Sequence, residues 1–414
     1  MIIKGAMICD ANGEYRGDVR IQEGKIAKVA RSVLAEDGEE IFDASGLLLL
    51  PSAIDLNARV QDSQLNKKHL MTLSHKAAKG GVGTLALMPD CTPSLNSEVA
   101  MELLNTLQND FHSQILGIAG STKAIKENGT CLLNDLSILH KKGAYGIYTH
   151  SSEDGNLLKR ACEFALMLDI PIFLNCEDES LSANGVMNDG ELSARLGLPS
   201  ISNLSEIKEV AMMSEIVRFM GVRAIFQAIA TDRSVEILFE SKKHNPNLFV
   251  QTSIHHLMLT EDLCEGYNTA AKIKPPLKSE STRAKLVKRL VEGKIELISA
   301  LQSEKSIAQK DLAFEEAAFG VDMIEYFVPM CYTLLVKNQH LSLKEMSKIL
   351  SFNPAKALNL TTKGLIAEGY DADIVLLNPK ETQIIDKEDS PYYNWVLNSK
   401  IEKVFHCGKK IIGE

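Results

Sequence analysis

Apolar and polar positions alternate in short runs over the first 45 residues: MIIKGAMI, GEYRGDVRIQEGKIAKVA and EEIFDASG, broken by Gly13, Gly17, Gly24 and Gly38. A period of two with turn residues between the runs predicts short antiparallel strands. The C-terminal end repeats the style in GLIAEGYDADIVLLNP and KIEKVFHCGKKIIGE. Each end is too small to bury a core alone. The two are therefore expected to join in one composite β-sandwich, residues 1–50 with 363–414.

Between the ends the rhythm changes. Short apolar runs such as VGTLALMP, SQILGIAG, GAYGIYTH, IPIFLNCED, VRAIFQAIA, NLFVQTSIHH and KIELISAL alternate with stretches carrying i, i+3, i+4 apolar spacing. Examples are KKHLMTLSHKAAKGG, NLLKRACEFALMLD and NLSEIKEVAMMSEIVRFMG. SESTRAKLVKRLVEG opens on a Ser-Glu-Ser capping signal and stops at Gly293. Seven or eight strand–helix alternations predict an α/β fold, a (β/α)8 TIM-type barrel over residues 51–362. A doubly wound open sheet is the other arrangement of this rhythm, but no G-x-G-x-x-G follows the first strand. Residues 306–315, SIAQKDLAFE, are expected to be a loop running into a helix.

The 414 residues are 45% hydrophobic and 24% charged, the balance of a folded protein. Net charge is −9 with dispersed basic residues, which argues against a nucleic-acid or anionic-membrane surface. No apolar run approaches the ~20 residues of a spanning helix, and the N-terminus reads as a strand and turn rather than a signal peptide. The eight cysteines lack C-x-x-C pairs. They are expected to be buried free thiols of a cytoplasmic protein.

Several ordered blocks resemble the amidohydrolase superfamily, and within it the dihydroorotases of the type found with aspartate transcarbamoylase. GLLLLPSAIDLNAR is similar to the entry to the first barrel strand, AAKGGVGTLALMPDCTP to the stretch around the second. CEFALMLDIPIFLNCEDESL, TSIHHLMLTEDL, YNTAAKIKPPLKSESTR, FEEAAFGVDMIE and SFNPAKALNLTTKGLIAEGYDADIVLLNP follow in family order. The resemblance implies a metal-centred barrel flanked by a small β-sandwich, in agreement with the periodicity.

The resemblance also implies zinc chemistry. The family opens or closes a cyclic amide, and zinc lowers the pKa of bound water from ~16 toward 7 while polarising the carbonyl. Carried across position by position, the ligands are missing here. The strand-one His pair falls on Asn57 and Arg59. The third ligand falls on Thr149 or His150, and the His before Cys-Glu-Asp falls on Asn175. The next His falls on Ala228, or on Gln227 if the register slips by one. The strand-eight Asp-His falls on Leu301-Gln302. Leu cannot coordinate a cation or move a proton, no register change within SALQS supplies a carboxylate, and Glu304 stands three residues on. The family's substrate Arg is Gln61, the Asn of Met-Pro-Asn is Asp90, and the Asn before Ala-Lys is Ala270. No catalytic residue, metal ligand or cofactor is therefore assigned.

A guanidinium is always charged. Arg59 is expected either to replace the metal as a resident cation tying together Asp55, Glu177 or Asp178, or to point to solvent at an unused mouth. Three functions fit these residues. The first is a degenerate dihydroorotase homologue kept for its fold, a structural or regulatory subunit in pyrimidine biosynthesis partnering aspartate transcarbamoylase, a second copy, or both. The second is a metal-independent hydrolase or binder using Arg59, Asp90, His150, Glu177 and His255 at the same mouth. The third, a dihydroorotase hydrolysing dihydroorotate to carbamoyl-aspartate, needs ligands hidden elsewhere among ten His.

Overall fold

The computed structural model of the chain describes residues 1–127 and 130–413. Eight parallel strands form the central sheet. They are β1 (Ala53–Ala58), β2 (Val82–Leu87), β3 (Gln114–Gly120), β4 (Gly146–His150), β5 (Ile172–Asn175), β6 (Ala224–Phe226), β7 (Leu248–Ser253) and β8 (Leu297–Ser299). Each pairs with its sequence neighbour, and all their residues are buried except four at the ends of β3–β5 (Gln114, Gly120, His150 and Asn175) and Tyr148 within β4. Strands covered on both faces need continuous apolar runs, which explains VGTLAL and IFLN.

The barrel closes where β8 meets β1. The Asp55 carboxylate is fully buried there. Its Oδ2 accepts from the Ala300 amide at 2.7 Å, and its Oδ1 accepts from Ser299 Oγ at 3.0 Å and from the Asn57 amide at 2.8 Å. Above this point Arg59 N donates to Gln302 O at 2.8 Å.

Helices cover the outside. The Lys67–Lys79 helix starts at Asn66, whose side chain accepts from His69 N, and buries Leu70, Leu73 and Ala77. The Gly155–Leu168 and Asn203–Met220 helices are capped by Asp154 and Ser202 in the same way. The Glu280–Val291 helix forms where expected, but Ser279 makes no side-chain cap bond. Its hydroxyl faces those of Ser281 and Thr282 instead. In SIAQKDLAFE only Ile307–Lys310 is helical, because the turn stops at Asp311 and Lys310 Nζ is drawn onto the carbonyls of Thr269 and Lys272.

Strands from both chain ends share one eight-stranded, mostly antiparallel sheet. Leu48–Pro51 lies at its centre, antiparallel to Ile374–Asn378 and parallel to Ile2–Asp10. Leu49 packs with Ile3, Ile8, Val19, Ile374 and Phe405 in a separate core, whereas Leu48 and Leu50 face the barrel. The period of two thus divides one strand between two cores. Glu414, the last residue of the expected sandwich, lies outside the described residues. All eight cysteines are free thiols. No described helix is long and apolar enough to cross a membrane.

Candidate functional site

The C-terminal ends of the barrel strands surround a cavity of about 500 Å³, the end at which barrels of this type present their loops. Its floor is set by strand ends. Asn57 and Arg59 come from β1, Tyr148 and His150 from β4, Asn175 from β5, Gln227 and Ala228 from the end of β6, and Leu301 from the end of β8. Strand register places His150 level with Asn175.

Arg59 dominates the floor. Its Nε donates to Asp90 Oδ2 at 2.6 Å and its Nη1 donates to Asn57 Oδ1 at 2.7 Å. The Tyr148 hydroxyl lies against the same guanidinium and accepts from Asn175 Nδ2 at 3.1 Å. Burial lowers the Arg59 pKa, and the Asp90 carboxylate and the Tyr148 hydroxyl more than offset it. Burial and the nearby Asp90 charge push the Tyr148 phenol above its ordinary value. Asn57 extends the chain of contacts to Gln251 Oε1 at 3.4 Å. A fixed cation is therefore held at the barrel centre by one carboxylate, one amide and one phenol.

Arg59 does not tie together the acids expected of it. Asp55 closes the barrel seam. Glu177 Oε1 pairs with Lys274 Nζ at 2.9 Å. Asp178 caps a short turn through Ser180 and Leu181 and pairs with Lys208. Nor does Arg59 point to solvent: its side chain is 19% exposed.

The other expected positions separate. Asn57, Arg59, Asp90, His150, Asn175, Glu177, Ala228 and Leu301 all line the cavity. Thr149 does not; its hydroxyl turns away and donates to Glu153 Oε2 at 2.9 Å. His150 Nδ1 is engaged by Ser152, whose amide donates to it at 3.1 Å. Gln227 also lines the cavity, but its Nε2 donates to Leu56 O at 2.9 Å. Gln302 faces away and binds Asp322 and the Met323 and Ile324 amides. Glu304 is held by Lys76 at 2.6 Å.

His255 is a correction to the expected pocket. It is buried outside the cavity, bonded to Tyr392 OH and Ala300 O, both at 2.8 Å. Burial pushes its pKa down to about 4. The reason is topological: it sits in the turn after β7 and packs behind the β8 end. Gln61 and Ala270 are half-buried in turns that do not reach the cavity.

The residues beyond this expectation are Tyr148 and the lysines of the rim. Lys278 is only 3% exposed, and its Nζ donates to Asn203 Oδ1 at 2.7 Å and Asn188 Oδ1 at 3.1 Å. Lys305 reaches Ser63 Oγ at 3.4 Å. Burial lowers the pKa of both. Lys274 and Lys278 stand in the quoted block IKPPLKSESTR, so a charge reading of that block was the available signal.

Backbone geometry marks two positions. Ala228 has φ +51° and Leu301 φ +46°, a region that costs an L-residue about 1 kcal/mol or more. Such strain concentrates at functional sites. Both side chains that occupy it here are hydrocarbon.

Among the described residues, one trio of His, Cys, Asp or Glu brings its ligand atoms within metal-binding reach: Asp373, His406 and Cys407. It lies in the terminal sheet, outside the cavity. Lys363 already pairs with Asp373, and His406 Nδ1 sits 3.0 Å from Asp373 Oδ1.

Two family profiles match the chain. The dihydro-orotase-like profile covers residues 46–228 and the amidohydrolase family profile covers 206–411. The dihydroorotase of Listeria welshimeri is 31% identical over 94% of this chain and 91% of its own length. That of Thermoanaerobacter sp. is 30% identical over 94% and 90%. That of Elusimicrobium minutum is 29% identical over 99% and 96%. Among solved structures, L-hydantoinase (dihydropyrimidinase) from Arthrobacter aurescens superposes with a TM-score of 0.87 at 18% identity, covering 100% of this chain and 96% of that one. A D-hydantoinase superposes with a TM-score of 0.84 at 20% identity over 100% and 95%.

Proposed function

Because the chain belongs to the dihydroorotase-like amidohydrolases, its barrel mouth stands where relatives would work, and we propose that it is a degenerate member that performs no metal-dependent hydrolysis. The carrying observation is the Arg59–Asp90 pair at the barrel centre. A zinc site needs imidazole, thiolate or carboxylate donors converging at about 2.0–2.3 Å. The centre presents the amides of Asn57 and Asn175, the methyl of Ala228, the isobutyl of Leu301 and a guanidinium that engages the Asp90 carboxylate, while His150, Cys176, Glu177 and Glu206 line the same cavity without bringing three ligand atoms together. Zinc does not fit this set, since the permanently charged Arg59 guanidinium would repel it at the barrel centre.

A family member without that chemistry can be retained for its surfaces. We assign this chain a structural or regulatory role in pyrimidine biosynthesis, with aspartate transcarbamoylase as the partner that the resemblance names. Metal content and dihydroorotate turnover, measured on protein purified with its native partners, test the reading. The expected result is substoichiometric zinc, no turnover and aspartate transcarbamoylase in the complex. One zinc per chain with turnover overturns the catalytic half, and a complex lacking the transcarbamoylase overturns the partner.

A second reading has its own observation. The cavity is of ligand size, and Lys278 and Lys305 donate directly to amide or hydroxyl oxygens, with Glu206 and Glu261 near the first and Asp62 and Asp90 near the second. A mouth that binds a small anion without converting it accounts for both. Thermal-shift titration with dihydroorotate and carbamoyl-aspartate checks it, and Lys305→Ala is expected to abolish any shift.

A further inference from the structure

The expectation of buried thiols fails at Cys131, which is half-buried, and most clearly at Cys407, which is exposed. The reason at Cys407 is local. It occupies the two-residue turn between the Lys400–His406 and Lys409–Ile412 strands of the terminal sheet. Both residues of the turn take positive φ, +47° at Cys407 and +73° at Gly408. Turns of this geometry favour Asn and Gly, so a cysteine stands in a backbone conformation that L-residues avoid.

The turn is held from beneath. Cys407 N donates to Asp373 Oδ1 at 2.8 Å, and Gly408 N donates to Ala372 O at 3.1 Å. The same carboxylate oxygen lies 3.0 Å from His406 Nδ1. The other nitrogen of that ring, Nε2, lies 3.9 Å from Cys407 Sγ. Carboxylate, imidazole and thiol therefore stand in line, the order of an orienting acid, a proton carrier and a sulfur nucleophile. Burial lowers the His406 pKa, but the Asp373 contact outweighs it and raises it to about 9, so the ring is an imidazolium at neutral pH. A sulfur beside an imidazolium is the setting of reactive cysteines.

The remaining charges favour an anionic reagent. Lys363 pairs with Asp373 and, at 3.4 Å, with Asp371, and Lys25 also pairs with Asp371. Lys409 is the cross-strand partner of His406, which places both side chains on one face of the hairpin. Four cations thus stand with two carboxylates. The His406 proton and Lys363 already neutralise Asp373, so the cluster serves the sulfur rather than a metal ion.

We propose that Cys407 is a modification site, at which the sulfur exchanges with small disulfides that carry carboxylates. The Cys407 sulfur attacks one sulfur of the reagent RSSR. A Cys407–S–SR bond forms, the RS–SR bond breaks, and RS⁻ leaves with the electron pair. It takes a proton from His406, which regains one from solvent, while the Cys407 thiol proton passes to solvent. The balance is one thiol and one RSSR consumed, one mixed disulfide and one RSH formed.

The test uses the full chain, reduced and freed of reductant, at neutral pH. It is mixed with dithiobis-nitrobenzoate, an anionic disulfide, or with dithiodipyridine, a neutral one, and each rate is divided by that of mercaptoethanol with the same reagent. Peptide mass spectrometry locates the adducts. The expected first adduct is at Cys407, with a relative rate of about tenfold for the anionic reagent and a smaller one for the neutral reagent. Added salt should shrink that difference. Cys407→Ser should remove the fast phase and Cys131→Ser should keep it. His406→Gln should bring the rate down to that of mercaptoethanol, and His406→Lys, which restores the cation, should keep most of it, with circular dichroism unchanged in both. A first adduct at another cysteine, a Cys407 no faster than mercaptoethanol, equal relative rates for the two reagents, a His406→Gln variant as fast as the parent chain, or a His406→Lys variant as slow as His406→Gln would each overturn the proposal.

Discussion

Arg59 Nε donates to Asp90 Oδ2 at 2.6 Å across the mouth of the barrel, from the end of β1 to the loop after β2. The side chains are 19% and 43% exposed, so solvent screens the pair from the Asp90 side. Asp90→Asn is expected to cost about 1–2 kcal/mol, because the guanidinium keeps its charge and loses its carboxylate. Arg59→Met combined with Asp90→Asn should recover part of that loss. Urea denaturation of the two single variants and the double variant measures the coupling, and additive losses would show that the pair contributes nothing.

Ala228→Gly is expected to be neutral or stabilising by up to about 1 kcal/mol, since φ +51° is strained for alanine and free for glycine. The same substitution at Ala165, buried inside the Gly155–Leu168 helix, should cost about 1 kcal/mol. A loss of similar size at both positions would mean that the Ala228 backbone stores no strain.

Asp55 closes the barrel seam with three acceptor contacts. Asp55→Asn must present an NH₂ either to the Ala300 amide or to the Asn57 amide and Ser299 hydroxyl, leaving buried donors facing each other. The expected cost is about 1–3 kcal/mol, read as a lower midpoint in urea. Amide exchange at Ala300 should accelerate in the same variant.

Two sets of histidines predict a stability maximum near pH 6.5. Burial pushes His255 down to about 4 and His256 down to about 3. As pH falls below about 6.5 the unfolded chain takes up protons that the folded chain refuses, so stability drops. His406 is opposite in sign. Although burial lowers its pKa, the bond to Asp373 outweighs burial and raises it to about 9. Its contribution, of order 2 kcal/mol, is complete below about 6.5 and fades as pH rises through about 9. Melting temperatures from pH 5 to about 9.5 should trace this dome, and His406→Gln should lessen the alkaline decline without touching the acid side; the buried thiols of Cys9, Cys91, Cys162 and Cys264, pushed up to about 12, keep part of that decline.

Much of the fold was legible in the residues themselves. The switch from a period of two to alternating apolar runs and amphipathic helices located the barrel and the two β-rich ends, because side-chain burial follows local backbone geometry. Residue identity alone also placed Asn57, Arg59, Asn175, Ala228 and Leu301 around one centre through an ordered resemblance. What the linear order could not contain was who faces whom. Arg59 takes Asp90 rather than Asp55, because Asp55 is drawn into the β8–β1 seam, a contact across 245 positions. His255 leaves the mouth because the turn after β7 directs it behind Ala300. Lys278 becomes a cavity residue only when Asn188 and Asn203 arrive from other loops. Leu301 gives no sign in sequence of its left-handed backbone, a conformation that leucine avoids. The pattern of burial is local and was read from the chain; partner choice and backbone strain are properties of the closed barrel and exist only once distant strands meet.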